Sequence, residues 1–105
     1  YDQAEPLYQR ALAIREKSLG ADHVDVGTSL RYLADVYLMQ KKFAQAEPLY
    51  VRAIEIFDRT GNPQLAEVLE NYASLLKATH RDEEAAKIKA RAEAAGHGTA
   101  AGGRP

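Results

Sequence analysis

The segment Ala4-Glu5-Pro6-Leu7-Tyr8 returns as Ala46-Glu47-Pro48-Leu49-Tyr50, 42 positions later. Around it, residues 1–17 and 43–59 agree at nine of 17 positions, including Gln3/Gln45, Arg10/Arg52, Ala11/Ala53 and Ile14/Ile56. Tyr1/Phe43, Leu12/Ile54, Glu16/Asp58 and Lys17/Arg59 are conservative replacements. A duplication of this length is the mark of a solenoid, whose units bury their apolar faces only by stacking on one another. The apolar spacing traced below makes the expected fold class all-α, an α-solenoid of five helices with no strands.

Composition narrows the function classes. The chain has 105 residues, 14 basic and 15 acidic, for a net charge of −1. This near balance gives no global field for nucleic acid or an anionic membrane surface, so neither is expected as a partner. No apolar run approaches the roughly 18 residues of a membrane span. Cysteine is absent, which excludes disulfides, thiolate catalysis and cysteine-held metals. No signal-peptide pattern occurs. The first residue is Tyr1, in the middle of a repeat unit, and the chain is read as a fragment of a longer protein.

Apolar residues recur at three- and four-residue spacing through residues 1–19 (Ala4, Leu7, Tyr8, Ala11, Leu12, Ile14), the stripe of an amphipathic helix. Pro6 and Pro48 fall about one turn in, where a missing N–H costs least, and predict a bend or late start. Gly20 offers a left-handed stop. Ala21 to Asp25 form a polar connector able to cap a second helix from about Val26 to Gln40. A turn at Gln40-Lys41-Lys42 leads into a third helix, Phe43 to about Thr60, ended by Gly61. Asn62-Pro63 reads as an N-cap followed by proline at the first helical position, opening a fourth helix, Gln64 to Thr79. That helix repeats the second at an offset of 39: Leu30/Leu69, Ala34/Ala73, Val36/Leu75. Asp82-Glu83-Glu84 places negative charge at the start of a fifth helix, where the helix dipole favours it. This helix is expected to reach Ala95. It repeats Ala4 and Ala11 as Ala85 and Ala92, but holds Lys87 and Lys89 where proline and tyrosine stood. Gly96 to Pro105, rich in Gly and Ala without periodicity, is expected to be a disordered tail.

Leu30, Leu33, Ala34, Tyr37, Phe43, Ala46, Tyr50 and Ala53 resemble the tetratricopeptide repeat signature, with small residues where two antiparallel helices cross. The 42-residue period, the stretch Ala-Glu-Pro-Leu-Tyr-x-Arg-Ala and Leu19-Gly20-x-x-His23 are similar to the kinesin-light-chain-like subclass. The resemblance covers residues 1–95 and implies a right-handed superhelix at the C-terminal end of an array: an orphan helix at 1–19, repeats at 27–60 and 66–95, the last helix capping, and a tail at 96–105. Three departures stand out. Val24 follows His23 where the subclass has proline. Arg31-Tyr32 and Glu70-Asn71 replace its usual Asn-Asn pair. Lys41 and His80 replace a glycine of the inter-helix turn, which should strain the backbone locally.

The resemblance implies a non-catalytic interaction module of cytoplasmic location, with the first helix of each pair lining a concave groove. Its groove positions correspond to Thr28, Arg31, Asp35, Leu38 and Met39, then Glu67, Glu70, Ser74, Lys77 and Ala78. Each set lies on one helix face. Charges beside Leu38 and Met39 suit an extended or helical peptide, with apolar anchors and oriented ends. Chaperone-tail binders of this family place Lys and Asn where this chain has Arg31, Asp35, Glu70 and Ser74. A carboxylate clamp is therefore not expected, and Glu67 and Glu70 favour a basic group on the partner.

Four other readings compete. A structural cap would end a longer array in a multidomain signalling or regulatory protein while binding happens elsewhere. Self-association would follow if the first helix, lacking its neighbour, exposes its apolar stripe. A metal site at His23 with Asp22 and Asp25 lacks a second ligand cluster, and capping explains those residues better. Enzyme chemistry has no support: Glu67 and Glu70 on an exposed face have nothing to raise either pKa, and no P-loop, nucleophile elbow or dinucleotide fingerprint occurs. No cofactor is expected. Tyr8, Tyr32, Tyr37, Tyr50 and Tyr72 are read as packing residues.

Overall fold

A computed structural model describes residues 3–20 and 22–102, the last six as backbone only. It contains α1 (Ala4–Leu19), α2 (Val24–Met39), α3 (Phe43–Thr60), α4 (Leu65–Ala78) and α5 (Asp82–Gly102). Each helix packs on the next, and α2 also meets α4. The buried core runs through α2, α3 and α4, from Val26, Leu30 and Leu33 through Tyr50, Ile56 and Phe57 to Leu69, Leu75 and Leu76.

Turn chemistry sets the helix ends. The His23 side chain caps α2: its Nδ1 accepts the Asp25 backbone N–H at 3.0 Å. The cap draws the start of α2 two residues ahead of the expected Val26. The turns after α2, α3 and α4 share one geometry. Lys41 N–H bonds to Leu38 and Lys42 N–H to Tyr37; Gly61 bonds to Asp58 and Asn62 to Phe57; His80 bonds to Lys77 and Arg81 to Leu76. This is the Schellman arrangement, which needs a left-handed residue at its corner. Gly61 supplies it at φ 65°, while Lys41 (φ 62°) and His80 (φ 63°) adopt it despite their side chains.

Three expectations are corrected. Asn62 does not cap α4 directly: Gln64 is the flanking residue, and Asn62 Oδ1 accepts the Gln64 N–H at 2.8 Å in a turn that precedes the helix. α3 shows no late start, since it begins at Phe43 and runs through Pro48. α5 does not stop at Ala95 but continues to Gly102. Gly96 does not take the positive φ that would end it, and four of the eight residues 94–101 are alanine, the best helix former. Residue 1 of the expected first helix and 103–105 of the expected tail lie outside the described residues.

Small residues govern how closely the helices approach. Ala34 and Ala46 are fully buried, and Ala73 and Ala85 nearly so, as expected at the two crossings. Gly27 is a further contact of this kind: a Cβ there would lie 2.9 Å from Phe57 Cε1 and 3.1 Å from Ile56 Cγ2. Phe57 is itself fully buried and has no room to yield.

Substitutions into and out of glycine should therefore act in opposite directions. Gly27→Ala is expected to destabilise by up to about 2 kcal/mol, an overpacking cost of ~1–3 kcal/mol less the ~1 kcal/mol helix gain. Lys41→Gly and His80→Gly should each stabilise by about 0.5–1 kcal/mol, the left-handed cost less the added freedom of the unfolded chain. Urea midpoints of the three variants test both signs.

Candidate interaction face

α2 turns Thr28, Arg31 and Asp35, at three- and four-residue spacing, toward α4. Arg31 is only 7% exposed. Its Nη1 donates to Gln64 Oε1 at 3.0 Å and its Nη2 pairs with Glu67 Oε1. Its Nε lies 4.0 Å from Asp35 Oδ2, and the guanidinium sits 5.5 Å from the Tyr32 ring centre. Gln64 also donates to Thr28 Oγ1 at 3.0 Å. Asp35 Oδ1 accepts from the Tyr50 hydroxyl of α3 and from Asn71 Nδ2 of α4 at 3.0 Å. One carboxylate thus joins three helices.

The electrostatics follow from this geometry. Burial pushes the Asp35 carboxyl above its ordinary value, against the hydrogen bond from Tyr50 and the charge of Arg31. Burial, with Asp35 alongside, pushes the Tyr50 phenol far up, so it stays protonated and donates. At the α3–α4–α5 junction Arg81 Nη1 donates to Glu47 at 2.8 Å and its Nη2 to Glu84 at 2.9 Å, while Tyr72 donates to Glu47 at 3.1 Å. The Arg81 hydrogen bonds hold both carboxyls below their ordinary values.

The residues that the resemblance implies for a groove fall into two sets in the structure. Thr28, Arg31 and Asp35 are engaged between helices, and Glu67, although exposed, is tied to Arg31. Leu38 is half-buried against the core, and Met39 is 57% exposed. Glu70, Ser74, Lys77 and Ala78 are exposed on α4, with the Ser74 hydroxyl donating to the Glu70 carbonyl. Gln64 and Asn71 complete the network and were not singled out from sequence. Their signal was present, since Gln64, Glu67 and Asn71 follow one another at three- and four-residue spacing along one face.

Beside this face, α4 and α5 enclose an open cleft of about 570 Å³ floored by Ala73, Ala85 and Ala86. The corresponding slot one unit earlier, between α2 and α3, is filled by α4. Two ion pairs repeat at successive junctions. Glu5–Lys42 (3.2 Å) recurs as Glu47–Arg81, and Glu16–Arg52 (2.7 Å) as Asp58–Arg91 (3.2 Å). At the next junction the Glu5/Glu47 position is Ala86, and the Tyr8/Tyr50 position is Lys89. No group of three or more potential metal ligands comes together among the described residues. Nor is any helix there long and apolar enough to cross a membrane.

Two measurements probe these junctions. Arg31→Ala should cost about 2 kcal/mol, the scale of hydrogen bonds to a charged group. Arg31→Lys should recover less than half of that, because one ammonium cannot reach Gln64, Glu67 and Asp35 together. Glu47 and Glu84 have folded-state pKa values below the ordinary 4.5. Their contribution is therefore complete above that value and lost as pH falls through the lower folded values. Asp35, shifted the other way, opposes them. Thermal unfolding from pH 7 to pH 3 should show a smaller drop in Tm for Arg81→Gln than for the parent chain.

Known proteins share this pattern. Residues 1–59 match the tetratricopeptide repeat family. Over 51 residues, 49% of this chain, the sequence is 51% identical to nephrocystin-3 of Xenopus laevis, and equally to that of Mus musculus and Homo sapiens. The chain spans about 4% of the length of these relatives. With the match extending over more than half of it and helices stacking pair upon pair, the chain belongs to the tetratricopeptide repeat family, whose repeats mediate protein–protein interaction and are typically non-catalytic.

Proposed function

We propose that the face built by α2 and α4 binds a peptide or protein partner, with Leu38 and Met39 as the apolar anchor and Glu67 and Glu70 selecting a basic group. The observation that carries this reading is the exposed Met39 on a face whose floor is locked. The Arg31–Asp35–Asn71 network holds the two helices at fixed separation, so little order remains to be imposed on binding. Thr28, Arg31 and Asp35 serve as support within this reading, while Met39, Glu70, Ser74 and Lys77 meet the partner. The kinesin-light-chain-like relationship belongs to the same proposal, supported by the 42-residue spacing and the Leu19-Gly20-x-x-His23 linker, as does a cytoplasmic location.

A second reading, that α5 caps a longer array, is favoured by one specific observation. The acid that staples each junction and the tyrosine that packs there become Ala86 and Lys89, so a further repeat of the same kind would find neither. The two readings are compatible in one protein, but they differ in what the groove residues do.

A displayed library of short basic peptides, followed by fluorescence polarisation of the selected sequences, separates them. Met39→Ala and Glu70→Ala should each weaken binding about tenfold, equivalent to ~1.4 kcal/mol, with helicity unchanged. Glu93→Ala, on α5, should have no effect. If both groove variants bind as the parent does, the groove reading fails and the cap reading stands.

A further inference from the structure

We propose that the exposed α4/α5 face is a homodimerisation surface, on which a second copy of this chain docks through its own α4 and α5. The argument starts from four charges at the rim of the cleft: Glu70 and Lys77 on α4, Asp82 and Lys89 on α5. All four are exposed. Among the described residues their charged groups make no ion pair, whereas the charges at the two earlier junctions are paired.

Their placement is regular. Glu70 and Lys77 are seven residues apart, as are Asp82 and Lys89, which is two turns and about 10 Å along each helix. The tight turn at His80 makes the two helices antiparallel, so Lys77 is level with Asp82 and Glu70 with Lys89. The four corners of the face therefore alternate in sign, with like charges on the diagonals. A two-fold axis in the plane of the face, along the helices or across them, lays every corner on one of opposite sign. This is the self-complementarity that an isologous interface requires. Between the corners the floor is Ala73, Ala85 and Ala86, which lets two helix pairs approach closely.

The same slot one unit earlier accepts a helix, α4, against Tyr50 and Glu47. In the α4/α5 slot those positions are Lys89 and Ala86, and Leu38 and Phe43 are replaced by Lys77 and Asp82. The geometry of helix docking is retained while the chemistry of repeat stacking is gone, which selects a charged, flat partner over another repeat. The proposal shares Glu70 and Lys77 with the peptide face, so a docked copy and a bound peptide would exclude one another there; Ala86 and Lys89 lie outside that face, so Ala86→Glu tests the dimer alone, and failure of either reading leaves the other standing.

Sedimentation equilibrium of the 105-residue chain over a concentration series tests the idea, with circular dichroism as the fold control. A reversible monomer–dimer equilibrium is expected, weakened by salt. Ala86→Glu, at an exposed position, should dissociate the dimer. Lys77→Glu should do the same, and mixing that variant with either Glu70→Lys or Asp82→Lys should restore a heterodimer, the rescuing partner reporting the direction of the axis. A monomer at every concentration overturns the proposal, as does a dimer that survives either disrupting substitution, or a Lys77→Glu variant that neither partner rescues. Dissociation by Leu7→Glu and Ile14→Glu but not by Ala86→Glu would assign self-association to α1 instead.

Discussion

A helix that is apolar along one stripe holds its place only while another helix covers that stripe. The two copies of the repeated segment show this directly. Ile56 on α3 is 1% exposed because α2 lies over it, with Gly27 letting the backbone come close. Ile14, the same residue at the same repeat position on α1, is 57% exposed, and no residue of α1 is buried. The residue and its repeat position are the same, so the difference comes from the neighbour. Burying a residue of this size stabilises by about 1.5–3 kcal/mol, so stacking, more than helix propensity, supplies the stability of such a fold.

Apolar stacking alone sets no register along the helices. The polar contacts do. Asp35 accepts from Tyr50 and Asn71, Arg31 reaches Gln64 and Glu67, and a pair of ion pairs recurs at each junction between second helices of the units. Exposed pairs such as Glu16–Arg52 add little energy singly. Their recurrence at equivalent positions makes them markers of register, and the buried Arg31 and Asp35 hold α4 against α2. The α2–α4 face is thereby fixed in shape by contacts within the chain. The groove positions implied by resemblance are accordingly of two kinds, those that hold the face together and those left open on it.

Much of the fold was legible because helical periodicity and the duplication are local signals. The boundaries of α3 follow from Phe43 and Gly61, and the small residues at the crossings from Ala34, Ala46, Ala73 and Ala85. What failed locally failed for identifiable reasons. His23 began α2 early because an imidazole nitrogen can cap as well as a carboxylate. Asn62 turned the chain before α4 instead of capping it. The glycine-rich end of α5 stayed helical because neither stacking nor a left-handed residue stopped it. Gln64 and Asn71 escaped notice because their importance lies in what faces them across the α2–α4 junction, more than thirty residues away.

The sequence by itself determined the helices, the period and the family, because spacing, turn residues and internal repetition are written along the chain. Tertiary structure decided which charges are spent and which are free. Arg31 and Glu70 occupy equivalent positions, yet α4 covers the first and leaves the second open. A polar side chain three residues from the next reads alike in both cases. Only the packing of a neighbouring helix, which desolvates one and supplies its hydrogen-bond partners, makes Arg31 part of the scaffold and leaves Glu70 exposed to solvent.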